Sequence, residues 1–423
     1  MQYASSSTND LDSILQPLYG GSTMHSKLPV IMLLMVSFLG TAAFRISVPA
    51  VAFYTRQVLE ASALGVGLLT SSFFAGRALF AVVAGGLADK YRDKIAYMAA
   101  ICFSLNAVVV YLYGLVNDIV SVILIRALQG ALNGIAWVSV QVILGSSVSY
   151  SIRGRVYAIY FALGTLGNVA ANKLYSSLSN KPLSSILVIS SILFLATAIL
   201  ILVIGILLPA SLYSIKHKSG KESNVSEENE HIKASIVIAI PVILIVLGVS
   251  MFSSIVRGDL VYIYMNEAFK LSRGDTADII AFASLIALVG GYILSWISDK
   301  VNDTLALRIA ISIGFLGSIL VSIRALIGVI TGLVLYYIAN SAIISISRRI
   351  AITHYKLGGT VMGLINAAGN IGSVTGSSIA GLIYDIYGLF TLNILGVTFT
   401  GFISIMSLTM VVSLVSSFVF LKK

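Results

Sequence analysis

Long apolar stretches, each broken by a short polar or charged turn, recur near residues 28–54, 62–86, 95–115, 119–145, 156–178 and 183–212. A hydrophilic segment, KHKSGKESNVSEENEHIK, follows at 216–233. Six further stretches lie near 235–264, 277–297, 305–323, 327–347, 361–384 and 388–421. A bilayer-crossing helix needs about 20 predominantly apolar residues, so the pattern predicts six spans, a linker and six more spans. Strands are excluded for these stretches: an open sheet leaves backbone groups unpaired in lipid, and a barrel strand alternates in polarity. The expected fold class is an all-α membrane protein of twelve transmembrane helices in two pseudo-symmetric six-helix bundles. The expected organisation is a polar tail at 1–27, an N-terminal bundle at 28–212, a linker at 213–234 and a C-terminal bundle at 235–423.

Composition agrees. Of 423 residues, 58% are apolar and 10% charged, and the mean hydropathy is +0.98. A water-soluble fold needs a larger polar skin, so a soluble enzyme, a nucleic-acid-binding module and a secreted disulfide scaffold are excluded. The net charge of +10 reflects sidedness rather than an acidic partner. With the N-terminus inside, 17 of the 27 Lys and Arg fall on the cytoplasmic side, 6 outside and 4 within spans. That bias places both termini and the linker in the cytoplasm of a multi-pass protein of the plasma membrane. The single cysteine, Cys102, lies in an apolar run and offers no disulfide. No HExxH, CxxC or P-loop occurs, and the four histidines lack metal-ligand spacing, so no metal, cofactor or enzymatic chemistry is expected. Residues 1–27 lack the basic-then-apolar pattern of a signal peptide. Met24 stands just before the first apolar run, and the 23 residues ahead of it are expected to be a disordered extension.

The two halves repeat. GGLADKYRD at 85–93 closes the second stretch and SWISDKVND at 295–303 closes the eighth, with Asp89 and Asp299 210 residues apart. Arg45 and Arg257 precede those aspartates by 44 and 42 residues. Such internal duplication marks a two-bundle transporter with its site between the halves near mid-membrane.

Gly85-Gly86-Leu87-Ala88-Asp89-Lys90, followed by Arg92, Asp93 and Lys94, resembles the signature between helices 2 and 3 of the major facilitator superfamily. It departs where Arg92 replaces the usual Gly and Asp93 the usual Arg. Arg126, Gln129 and Gly130 are similar to that family's helix 4 signature. Arg153-Gly154-Arg155 matches its basic turn before helix 5, and residues 359–388 match its helix 11 pattern. Helix 5 has Gly164 and Gly167 without the G-P-x-x-G-G of drug/proton antiporters, and the P-E-S and P-E-T signatures of sugar porters are absent. The resemblance implies a secondary transporter without assigning a cargo. It also implies a cytoplasmic gate in which Asp89 faces a helix N-terminus and pairs with Arg92 and Lys94. By the repeat, Asp299 faces Arg153 and Arg155.

Charged residues at membrane depth are costly unless they face water or a partner. Arg45 and Arg257, one in each half, are therefore candidates for a central anion site, with Arg77 a third cavity cation. Arg126, Gln129 and Asn133 follow i, i+3, i+7 and form one polar stripe that offers substrate contacts or interhelical hydrogen bonds. Asn366, Asn370, Ser373 and Ser377, interleaved with glycines, favour helix packing. Tyr336 is a candidate cargo hydrogen-bonder. Asp259 is the one acidic residue clearly within a span and the candidate proton-coupling group, tuned by Arg257.

These features predict a secondary active transporter working by alternating access on a small-molecule substrate. The leading cargo is a small organic solute, with an anion favoured by the paired arginines and movement by exchange or with protons as coupling ion. A proton-coupled exporter of hydrophobic or cationic compounds is the alternative. Partners are the cargo and the lipid bilayer, not nucleic acid, and monomer is the family default.

Overall fold

The computed structural model describes residues 27–148, 153–207, 225–354 and 358–420. Its helices are α1 Lys27–Phe53, α2 Ala63–Lys90, α3 Ile95–Leu112, α4 Ile119–Ser147, α5 Arg153–Ser177, α6 Leu183–Leu207 and α7 Val225–Val256. They continue as α8 Leu260–Phe269, α9 Arg273–Lys300, α10 Asp303–Ser322, α11 Leu326–His354, α12 Gly358–Tyr387 and α13 Gly401–Val415. Helices α7 and α8 form one unit bent by 53° at a short break, so the thirteen helices of the described residues group into twelve candidate spans. The N-terminal tail to residue 26 and residues 213–224 of the expected linker lie outside the described residues. Helix α7 begins inside the hydrophilic segment, at Val225.

Polar residues punctuate the helices where the pattern demands it. Ser62 caps α2 through the Gly65 N–H at 3.1 Å. Asp118 caps α4 through Ser121 N–H at 2.8 Å. Ser272 and Asp275 form a reciprocal capping box at the start of α9, satisfying donors that a helix start leaves orphaned. The repeated Asp-Lys pairs close α2 and α9 alike, with Tyr91 N–H bonded to Leu87 O and Val301 N–H to Ile297 O.

The last apolar stretch departs from expectation. Residues 388–421 are not one span, and strands do occur within them. Thr391–Ile394 (β1) pairs antiparallel with Val397–Thr400 (β2), and Leu395 and Gly396 turn between them at φ 51° and 80°. The strands pair along their inner edges, and the ribbon bonds the loop after α10, where Arg324 N–H donates to Thr398 O at 2.8 Å. An apolar two-stranded ribbon outside the helical layer carries no hydropathy signal that separates it from a span.

Nine helices, or ten spans with the bent pair, are long and apolar enough to cross a membrane among the described residues. The two remaining spans, α5 and α12, are as long, at 25 and 30 residues, but rich in Gly, Ser, Asn and Thr. Their packing explains the composition. Helix α5 lies on α1 and on α9, and α12 lies on α7 and on α2. A Cβ on Gly167 of α5 would stand 2.3 Å from Phe38 O of α1, and one on Gly376 of α12 would stand 2.3 Å from Met251 O of α7. Small residues admit that approach, and the two close contacts are related by the repeat.

The α2–α12 and α5–α9 pairs join the halves, and their side-chain contacts cluster toward one end. Asp385 of α12 accepts from Ala63 and Leu64 N–H at the start of α2, at 2.6 and 2.8 Å. Ser71 bonds Ser377 and Ser378, each at 2.7 Å. Lys173 of α5 pairs with Asp278 of α9 at 2.9 Å, and Asn168 donates to Ser284 at 2.9 Å. At the other end, which carries the basic loops after α2 and α9, a Cβ on Gly85, Gly86 or Gly363 would meet nothing within 4 Å. The halves meet on the face opposite those loops and diverge toward the basic face.

Candidate functional site

The break in the seventh span, Arg257-Gly258-Asp259, sits where the halves meet, and the N-terminal half reaches into it with three side chains. Thr70 of α2 donates its hydroxyl to Asp259 Oδ2 at 2.7 Å and accepts the Asp259 N–H at 3.0 Å. That N–H starts α8 and would otherwise be an orphan donor. Arg45 of α1 donates from Nη1 to Arg257 O at 3.2 Å. Arg126 of α4 donates from Nη2 to both Asp259 oxygens, at 2.9 and 3.2 Å. Interrupted helices at mid-membrane expose backbone groups of this kind to a site. Gly258 is required at the break, because a Cβ there would fall 2.1 Å from Ser254 O and 2.7 Å from Thr70 Oγ1.

Arg126 and Asp259 are each 1% exposed. Phe44 and Phe73, stacked at 4.7 Å, each place a ring 5.5 Å from the Arg126 guanidinium. Gln129 Oε1 accepts from Arg126 Nη1 and from the Tyr113 hydroxyl, both at 2.9 Å. The charge is thus compensated from several sides, as a buried ion pair requires.

Two connected cavities, of about 360 and 630 Å³, lie below this seam on the side of the basic face. Phe44, Arg45, Arg77, Trp137 and Arg257 line both. The larger one also takes Phe73, Phe74, Arg126, Asp259, Asn340 and Arg348, with Asn366, Asn370 and Ser373 of α12. The cavities' aromatic residues come mainly from the N-terminal half, and Ser and Asn are the commonest residues of the opposite wall. Asp259 is the one carboxylate that lines either cavity among the described residues, and Arg126 already holds it.

The predicted residues divide accordingly. Arg45 and Arg257 come together, half-buried and without a carboxylate partner among the described residues; Arg257 lies 5.2 Å above the Tyr337 ring. Arg77 lines the cavity as a further cation. Asp259 pairs with Arg126 and not with Arg257, because the break turns successive side chains to different sides. Asn133 is drawn away from the cargo space: it donates to Asn106 Oδ1 at 3.1 Å and accepts from Trp137 Nε1 at 3.0 Å. Tyr336 is buried inside the C-terminal half and donates to Val249 O at 2.5 Å; its neighbour Tyr337 is the residue at the cavity. The α12 stripe splits, with Asn366, Asn370 and Ser373 at the cavity and Ser377 in the seam.

Among the described side chains, the Asp299 part of the expected gate is not assembled on the basic face. Asp299 pairs with Arg349 of α11, not with Arg153 or Arg155, because the contacts that hold α5 to α9 lie toward the other face. Lys94 and Arg155 are exposed, and the side chains of Asp89 and Arg92 lie outside the described ones. The opposite face carries the assembled contacts instead. Arg56 Nε pairs with Glu267 at 2.6 Å, and the Tyr384 hydroxyl donates to the same carboxylate.

Sequence reasoning missed Thr70, Phe73, Trp137 and Arg348, and it weighed Tyr337 as a cargo hydrogen-bonder but favoured Tyr336. Helical spacing carried a signal for Thr70, Phe73 and Arg348: Thr70, Phe73, Phe74, Arg77 and Ala81 share one face of α2, and Tyr337, Ser341, Ile344 and Arg348 share one face of α11.

A family model described as Major Facilitator Superfamily matches residues 33–377. Among solved structures, a variant of the nucleoside transporter NupG is similar at a TM-score of 0.70 and 15% identity, covering 93% of this chain and 98% of that one. A bacterial homologue of the human lysosomal transporter Spinster, inward-facing and unoccupied, matches at 0.70 and 14%, covering 95% of each. The human organic anion transporter MFSD10 matches at 0.63 and 14%, covering 93% of this chain and 99% of that one. No curated protein matches in sequence.

Proposed function

The chain belongs to the major facilitator superfamily and is a membrane-embedded secondary transporter; we propose that its cargo is an organic anion, moved by alternating access of the two halves. The carrying observation is the cavity's charge. Arg45 and Arg257, one from each half, face a shared space in which the single lining carboxylate among the described residues is already paired. Two guanidiniums without counter-ions suit a carboxylate or phosphate group held by forked hydrogen bonds. The wall of Phe44, Phe74, Trp137 and Phe161 suits an organic body, and four cavity arginines outside the ion pair weigh against a cationic cargo.

In this reading the bundles at 28–212 and 235–423 rock about the break at 257–259, joined by the linker at 213–234. The Lys and Arg bias supports a plasma-membrane orientation with both termini in the cytoplasm, so the described state opens inward. Asp89, Arg92 and Lys94 at the end of α2, with Asp299, Arg153 and Arg155, form the gate of the opposite state, in which Asp299 exchanges Arg349 for the α5 arginines. Both walls of the site come from one chain, which supports a monomeric unit. Asp259 acts as the switch that releases Arg126 when the outer face opens. Exchange is the favoured mode, because cavity guanidiniums without carboxylate partners among the described residues suit the replacement of one anion by another.

The test is a thermal-shift comparison of the wild-type protein and the Arg45→Gln/Arg257→Gln variant against organic anions, organic cations and neutral solutes. A ligand at 100 times its Kd stabilises by about 2.7 kcal/mol. Stabilisation by anions that the variant loses is the expected result, with counterflow of the same anion in liposomes. Stabilisation by hydrophobic cations in both proteins would overturn the proposal.

A further inference from the structure

Arg77 and Arg348 are the cavity cations that the apex does not use. Arg77 comes from α2 and Arg348 from α11, so this pair also takes one member from each half. Both are half-buried and line the larger cavity, and neither has a hydrogen-bond or ion-pair partner among the described residues. They lie close enough for the charge of Arg348 to act on Arg77.

Arg77 also borders the smaller cavity with Arg45 and Arg257, but its backbone position and that of Arg348 lie nearer the basic face than the break. Thr70 touches Asp259 at the break, and seven residues of α2 put Arg77 roughly 10 Å nearer the basic face. Tyr337 underlies Arg257, and eleven residues of α11 put Arg348 roughly 16 Å nearer that face. One small anion does not bridge such a gap. Charges held in a cavity without partners are costly, and the chemistry that relieves two facing guanidiniums is an oxyanion.

We propose that Arg77 and Arg348 form a second anion station at the mouth of the cavity, binding an oxyanion of the phosphate class separately from the apex. The station rests on the carrier reading above but not on the apex arginines. It straddles the halves, so its occupancy controls closure of the basic face. When empty, its two like charges repel as the walls approach; when filled, the anion bridges them.

The probe is inorganic phosphate, titrated calorimetrically into the full chain in phosphatidylcholine nanodiscs. The wild-type protein is expected to bind two phosphates, and Arg77→Gln/Arg348→Gln to bind one while keeping its melting temperature. The conservative Arg77→Lys/Arg348→Lys variant should recover the second site at about tenfold weaker affinity. A Gly363→Cys reporter in a Cys102→Ser background should lose reactivity toward a thiol reagent when phosphate is added, and should stop doing so in Arg77→Gln/Arg348→Gln. Unchanged phosphate stoichiometry in Arg77→Gln/Arg348→Gln, or no phosphate binding by the wild type, overturns the station. If instead only Arg45→Gln/Arg257→Gln leaves the stoichiometry unchanged, the apex reading fails and the mouth station stands.

Discussion

Arg126 and Asp259 lie 133 positions apart in the chain and on opposite halves of the molecule, yet their side chains meet at 2.9 Å out of contact with solvent. The pair ties the fourth span to the break in the seventh; in the alternating-access cycle proposed above, the opposite conformation would give it up.

Removing one partner should therefore be worse than removing both. Asp259→Asn leaves a buried guanidinium uncompensated, at a cost of about 3–5 kcal/mol. The Arg126→Gln/Asp259→Asn double variant should be the more stable protein. Melting curves of the two singles and the double in detergent give the coupling energy. Additive losses would mean that the contact does not hold the halves together.

Asp385 crosses the seam to cap α2, taking two backbone N–H groups at the positive end of that helix. Asp385→Asn should weaken closure of the far face by about 0.5–2 kcal/mol, which raises the fraction open on that face about 2- to 30-fold. A cysteine at Ser378, beside Ser71 in the seam, should become more reactive to an impermeant thiol reagent when Asp385→Asn is added in a Cys102→Ser background. Equal reactivity would show that the cap plays no part in closure.

Gly167 and Gly376 are expected to be intolerant of alanine, since the added methyl lands on a carbonyl of the neighbouring helix. Overpacking of this type costs about 1–3 kcal/mol. Gly363→Ala is the control, because its Cβ meets nothing. Thermal melting of the three variants should rank Gly363→Ala near wild type and the other two well below it.

Arg45→Lys keeps the charge but loses the forked geometry. Anion affinity should fall about tenfold, equivalent to about 1.4 kcal/mol, whereas Arg45→Gln should abolish binding. Equal affinities for the Lys variant and the wild type would indicate a point-charge interaction and argue against forked recognition at the apex.

Hydropathy was enough to place the spans, because each must bury a full turn-by-turn backbone ladder in lipid. It was blind to the hairpin at 391–400, which lies at the start of a longer apolar stretch and turns at Leu395 and Gly396. The Arg45–Arg257 match was legible from the duplication, since equivalent positions in the two halves face each other across the pseudo-symmetry axis. The partner of Asp259 was not. A helical wheel drawn through 257–259 assumes a continuous helix, and the break invalidates it. Arg348 was hidden for a related reason: counted as a loop residue beside Arg349, it belongs to a helix that continues to His354, on the same stripe as Tyr337.

The contacts described above between α2 and α12 and between α5 and α9 are hydroxyls, amides, carboxylates, glycines and an ion pair. A hydrogen bond lost there can be remade to water, so its net worth is only about 0.5–1.5 kcal/mol. Interlocked leucines would instead expose apolar area at about 25 cal/mol per Å² with nothing to replace it. In the alternating-access cycle proposed above, the junction between α2 and α12 would act as a clasp that wets as it opens, its polarity keeping either face from becoming a trap.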